Sequence, residues 1–172
     1  MRAPFQVLII PYRRLGTRLE VAALRRADED TIWQFVSGGG EDSETVEQAA
    51  RREAREEAGL PETLEFARLD TMAMVPACWF GAWVEWPADR LVVPEYAFAV
   101  DVRDHDVVIS EEHRERRWLV FDDAMATLRY DSNKTALWEL HERLFPVPRS
   151  KRAAFDTRHA GWCACSAQLV RQ

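Results

Sequence analysis

Apolar positions divide the chain into stretches of two kinds. From Phe5 to Tyr12 they run almost unbroken and include β-branched residues, the pattern of a buried strand. Leu19 to Leu24 predicts a second strand, and Gly16 between the two predicts the turn of a hairpin. Trp33 to Val36 predicts a short strand that runs into three glycines, Gly38, Gly39 and Gly40.

The period then becomes helical. Val46, Ala49, Ala50 and Ala54 recur at spacings of three and four, which predicts a helix over about residues 45–58. Thr45 and Gln48 can form a capping box, Gly59 sits where a C-terminal glycine belongs, and Pro61 opposes continuation. Leu64–Val75, Tyr96–Val102 and Arg117–Phe121 read as strands, and 76–90 as an irregular aromatic segment. Asp122–Leu128 and Ser132–Phe145 read as helices, the second with Leu137, Leu140 and Leu144 on one face. Strands on both sides of a helix, followed by a terminal helix, predict an α/β fold with a mixed sheet between helical layers. One domain is expected over residues 1–148. The tail, 149–172, has a basic start and no clear period, and is expected to be loosely ordered or docked on the surface or on a partner.

Composition narrows the class. The 172 residues suffice for one domain with a substantial core, and the hydrophobic share of 47% and charged share of 30% are those of a soluble globular protein. The net charge of −6 argues against binding a nucleic-acid polymer, yet leaves room for a nucleotide, because a bound cation can invert the local field. No apolar run approaches the roughly 18 residues of a membrane span, and the N-terminal apolar run lacks a small-residue cleavage site. Cys78, Cys163 and Cys165 do not make a disulfide framework, so a reducing, cytoplasmic setting is expected. Cys163, Cys165 and His159 also lack the spacing of a zinc site, and read better as thiols in a flexible tail.

The stretch from Gly38 to Leu60 carries the chemistry. It holds seven acidic residues, and Glu53, Glu56 and Glu57 fall within one arc of the predicted helix. Like charges so placed destabilise a helix by about 0.2–0.5 kcal/mol per pair, which Arg51, Arg52 and Arg55 offset in part. A solvated acidic face is one reading. The other is a site for a hard divalent cation, which takes oxygen ligands and is often shared with substrate phosphates.

The spacing separates these readings. Gly38, five residues, Glu44, seven residues, Arg52-Glu53-Xaa-Xaa-Glu56-Glu57-Xaa-Gly59 and then apolar Leu60 resembles the signature box of the Nudix hydrolases. Ala54 stands where a larger aliphatic residue is commoner. WQFVSGGG, SEEHRERRW and DSNKTALWELHERL extend the resemblance over roughly residues 4–145, with the dihydroneopterin triphosphate diphosphatase-like group as the nearest in pattern. The fold implied is a Nudix-type α/β/α sandwich with the acidic helix on a mixed sheet.

The resemblance also implies a reaction and a site. Water would attack a phosphorus of a pyrophosphate link, with Mg²⁺ or Mn²⁺ as cofactor. Glu53, Glu56 and Glu57 would be metal ligands, with the Gly38 carbonyl as a further oxygen. Arg52 would organise the carboxylates of Glu44 and Glu56, and Glu44 and Gly59 would be structural. Glu112 aligns best with a loop glutamate that acts as general base or binds a further metal; Glu53 and Glu56 are rivals for the base. His113 is expected to be structural or accessory, and Trp118 to pack in the core.

For the substrate, Arg25 is the best candidate among Arg13, Arg14, Arg25 and Arg26 to meet phosphates. Asn133 and Lys134 could touch substrate, or could cap the last helix and sit in water. Trp79, Phe80, Trp83 and Trp86 could stack on a ring, form a dimer interface or pack in a core. Glu95 begins a strand expected to pass near the cleft. The expected partner is a small nucleoside or pterin phosphate, with a homodimer implied by relatives. The leading function is hydrolysis of such a triphosphate to a monophosphate and pyrophosphate. The alternatives are housecleaning of oxidised nucleotides, dinucleoside polyphosphates or nucleotide sugars, and a non-catalytic nucleotide-sensing module.

Overall fold

The computed structural model describes residues 1–103 and 105–146. The expected boundary at 148, the tail 149–172, His159 and the pair Cys163 and Cys165 lie outside the described residues.

Seven strands form one mixed sheet: β1 (Arg2–Leu15), β2 (Arg18–Arg26), β3 (Trp33–Gln34), β4 (Val36–Glu41), β5 (Phe66–Pro76), β6 (Val92–Asp101) and β7 (His113–Val120). The main path runs β3-β2-β1-β6-β5, with β4 paired to β1 and β7 paired to β2. Among the described residues only the β1–β6 pairing is parallel. The predicted hairpin forms: Leu15 pairs with Arg18 around Gly16, whose φ of 64° is costly for a residue with a Cβ.

Helix α1 (Val46–Ala58) covers one face, and α2 (Phe121–Thr127) and α3 (Asp131–Leu144) cover the other. Ala49, Ala50, Ala54 and Ala58 pack α1 against Val7, Ile9, Leu24 and Val36. These small side chains let the helix lie close to the sheet, and Ala54 is fully buried there. On the opposite face Leu8, Ile10, Phe35 and Ala97 meet Ala124, Leu137 and Leu140. The layered α/β sandwich anticipated from the sequence is therefore the fold. Glu139 ties α3 to the sheet, its carboxylate accepting from the N–H groups of Asp70 and Thr71 at 2.7 Å, where the β5–β6 register shifts. Among the described residues no helix is long and apolar enough to cross a membrane.

Three strands extend beyond their apolar patterns. The glycine run does not end a strand but belongs to β4, with Val7 opposite Gly38 and Gln6 opposite Gly39. β6 begins at Val92, which places Glu95 inside a strand opposite Gln6. β7 begins at His113, and its polar start, HRER, is held by pairing with β2 rather than by alternation of its own. Trp118 on β7 is half-buried against the α1-side core, with the Arg13 guanidinium 4.2 Å above its ring. The segment 76–92 contains two 3-10 turns, Ala77–Trp79 and Gly81–Glu85.

Candidate active site

The acidic helix is held at both ends. The Thr45 hydroxyl accepts from Gln48 N–H and the Gln48 side chain accepts from Thr45 N–H, so the capping box forms. At the other end Gly59 adopts φ 64°, and the N–H of Leu60 reaches back to Ala54 at 3.1 Å.

Arg52 organises the carboxylates. Its guanidinium donates to Glu44 at 2.9 and 3.1 Å, to Glu53 at 2.9 Å, to Glu56 at 2.9 Å and to the Gly39 carbonyl at 2.8 Å. The bond from Arg52 holds Glu44 below the usual carboxylate range, and Glu44 in turn accepts from Glu41 N–H at 2.9 Å. One cation thus locks the loop before α1, the helix and strand β4 into one unit.

Glu53 and Glu57 are buried, on the sheet side of α1. Burial pushes the Glu53 carboxyl up to about 7; the positive charge of Arg52 pulls it down, and the charge of Glu57 pushes it further up. The Glu53 carboxylate occupies the space that a side chain at Gly38 would need, since a Cβ there would collide with it. Glu57 Oε2 lies 3.2 Å from Ser37 N–H and 3.2 Å from His113 Nε2. His113 is buried beside it, where its ring can hold the Glu57 carboxylate in one orientation.

The carbonyls at the end of α1 pin the loop that leads to β7. Val108 N–H donates to Ala58 at 2.9 Å and Ser110 N–H to Glu57 at 3.2 Å, while the Glu112 carbonyl accepts from Ala27 N–H at 2.8 Å. A Cβ at Gly59 would come within 3.1 Å of Val108, so this glycine serves both the cap and the loop contact. Glu112 is thereby brought to the cleft with an exposed carboxylate that carries no hydrogen bond or ion pair among the described residues.

The cleft has a volume of about 370 Å³, within the roughly 300–1,000 Å³ of small-ligand sites. Gly38, Glu53, Glu57, Glu112 and Asn133 line it. Asn133 is buried, its Oδ1 accepting from Phe35 N–H at 2.8 Å, so it also fastens α3 to the sheet. Arg25, Lys134 and Glu56 are not among the lining residues. Arg25 pairs with Glu115 at 3.0 Å beside the Trp33 ring, while Arg26, its neighbour on β2, lines the cleft instead. Glu56 is half-exposed, between Arg52 and Arg55.

Other lining residues escape motif reasoning. Arg2 and Arg26 supply positive charge, although Arg26 is paired with Asp28 at 2.7 Å. Gln6 and Glu95 come from adjacent parallel strands. The aromatic segment divides its roles: Trp79 and Phe80 line the cleft, Trp86 packs in a small core with Ala77 and Val93, and Trp83 is half-exposed outside it. Period-two alternation in β2 points to either Arg25 or Arg26, but no local signal marks Arg2 or Gln6.

The donor chemistry suits a hard cation. Among the described residues no three carboxylate, histidine or cysteine side chains converge into a ready-made cage. Mg²⁺ does not require one, being commonly held by one or two carboxylates, several waters and substrate phosphates. Glu53 and Glu57 are two such carboxylates, and the elevated Glu53 is a charge that burial alone disfavours. With Gly38 they form an all-oxygen set that fits such an ion.

The chain resembles known proteins over most of its length. A family model described as NUDIX domain matches residues 4–141. Nudix hydrolase 13, mitochondrial, of Arabidopsis thaliana is 34% identical over 61% of this chain and 52% of its own, so the match spans about half of that relative. Dihydroneopterin triphosphate diphosphatase of Escherichia coli is 28% identical over 79% of this chain and 91% of its own. A crystal structure from Listeria monocytogenes, described as a NUDIX hydrolase, superposes with a TM-score of 0.74 at 43% identity, covering 83% of this chain and 94% of that one. The glycine-fronted acidic helix, its arginine clamp and these matches agree, and the chain belongs to the Nudix family.

Proposed function

We propose that this protein hydrolyses a pyrophosphate bond in a nucleoside or pterin triphosphate, releasing pyrophosphate and a monophosphate. The observation that carries the reading is the pair of buried carboxylates, Glu53 and Glu57, lining one cleft beside the side-chain-free backbone of Gly38. A bound Mg²⁺ or Mn²⁺ would neutralise developing phosphate charge and acidify a water there. Glu53, Glu57 and the Gly38 carbonyl would hold it, with His113 and Ser37 N–H fixing the Glu57 carboxylate. Arg52 keeps the carboxylates in place and apart. Glu112, free and on the cleft wall, is the group to take the proton from the attacking water. Arg26 lines the same cleft and could meet the remaining phosphate charge.

The test is release of pyrophosphate and phosphate from dihydroneopterin triphosphate, the dNTPs and diadenosine tetraphosphate, with Mg²⁺, by the parent and by Glu57→Gln. The expected result is turnover of a triphosphate to pyrophosphate by the parent, and loss of at least a hundredfold in the folded variant. Equal rates in the two proteins would remove Glu57 from the reaction.

A further inference from the structure

The far side of the cleft holds a third buried carboxylate, one that the reaction does not use. Glu95 on β6 is 5% exposed and lines the cleft. Its Oε2 accepts from Gln6 Nε2 at 2.9 Å, and its Oε1 has no hydrogen-bond partner. No lysine or arginine pairs with it among the described residues. Burial raises its pKa, opposed by hydrogen bonding from Ser132 and from Gln6. Gln6 acts as a donor to it, and an ionised carboxylate can accept further donors. A buried acceptor without a partner is costly unless something supplies a donor, and the residue that carries this one lines a ligand cleft.

The rest of this side is built for a flat ring. Val75, Trp79 and Phe80 form an apolar wall, with the Arg2 guanidinium 5.1 Å from the centre of the Phe80 ring. Ser132 and Asn133, at the start of α3, line the same cleft. The two ends therefore differ in chemistry: an acidic, oxygen-rich end at Glu53 and Glu57, and an aromatic end with the Arg2 guanidinium and one incompletely partnered carboxylate.

Resting on the hydrolase reading above, we propose that Glu95, held by Gln6, recognises the heterocycle of the substrate and selects a 2-amino-4-oxo ring, as in guanine or a pterin. Such a ring presents a ring N–H beside an exocyclic NH₂, two adjacent donors that match two carboxylate oxygens. Adenine presents an NH₂ beside a bare ring nitrogen, whose lone pair would face the carboxylate. A site whose buried polar group is paired by one ring and opposed by another discriminates strongly.

The experiment compares the parent with Glu95→Gln and Gln6→Ala. kcat/KM is measured for dGTP, dihydroneopterin triphosphate and dATP with Mg²⁺, and Kd for the non-hydrolysable α,β-methylene analogues of dGTP and dATP. Thermal unfolding checks that each variant folds. The parent should favour the 2-amino-4-oxo rings, and Glu95→Gln should cut the dGTP-to-dATP ratio by about ten- to a hundredfold, largely through KM. Gln6→Ala should cut it less. Ring discrimination in binding that Glu95→Gln abolishes upholds the proposal even if nothing is turned over, and then only the hydrolase reading fails. Turnover with no ring preference, or with a ratio unmoved by Glu95→Gln, overturns the proposal and leaves the hydrolase reading intact. Neither discrimination nor turnover overturns both.

Discussion

The carboxyl group of Glu53 rests on the backbone of Gly38, in the space a side chain at that position would fill. The contact joins the last turns of α1 to strand β4 and explains why a motif must begin with glycine fifteen residues before the acid it serves. Gly38 has an ordinary strand conformation, so its requirement is one of space.

Gly38→Ala is therefore a variant that separates function from folding. The clash is with the tip of a flexible side chain, and alanine in a strand relieves about 0.5–1 kcal/mol of backbone entropy. Thermal unfolding should fall only by as much as weakening the Arg52–Glu53 bond costs beyond that gain. Displacing Glu53 by about 1 Å should cost about a hundredfold in kcat/KM. Full activity in a folded Gly38→Ala protein would mean that the position of Glu53 does not matter.

His113 should matter through Glu57. His113→Phe removes the ring nitrogen 3.2 Å from Glu57 Oε2. The expected effect is a rise of about 10- to 100-fold in the Mg²⁺ or Mn²⁺ concentration needed for half-maximal rate, with a smaller change in rate at saturating metal. His113→Gln, which keeps a donor, should recover part of the affinity. A loss of rate with no change in metal dependence would make His113 a packing residue only.

Glu112→Gln tests the general base. Loss of the base costs about 10²–10⁴-fold in kcat and should abolish the acid limb of the pH–rate profile. Since the carboxylate is exposed and unbonded, stability should not change. A loss of less than about tenfold would move the base to Glu53.

Glu53 makes the metal-free protein sensitive to pH. Its folded-state value of about 7 lies above the ordinary 4.5, so between these values the folded chain retains a proton that the unfolded chain has lost. Stability is thus fully present below about pH 4.5 and is lost as pH rises through 7, by on the order of 3 kcal/mol. Buried Glu95 acts in the same direction. Denaturant titrations of metal-free protein at pH 5 and pH 8 should show the fall, Glu53→Gln should flatten it, and Mg²⁺ should restore stability at pH 8. A flat profile in the parent would show that the Glu53 carboxyl is not desolvated.

The sequence by itself determined the acidic helix, its caps and the box that it carries. These depend on neighbours within a turn or two: Thr45 with Gln48, Arg52 with Glu56, Gly59 with Leu60. The α/β layering was also legible, because alternation and helical period record which faces are buried. Only the tertiary structure decided which residues share the cleft. Gln6 and Glu95 are 89 positions apart and meet because β1 and β6 pair in parallel. Arg26, and not Arg25, lines the cleft, and the pairing of β7 with β2 makes a strand of a polar run. Contacts of this kind are set by strand register and by helix docking, which no local pattern of side chains encodes.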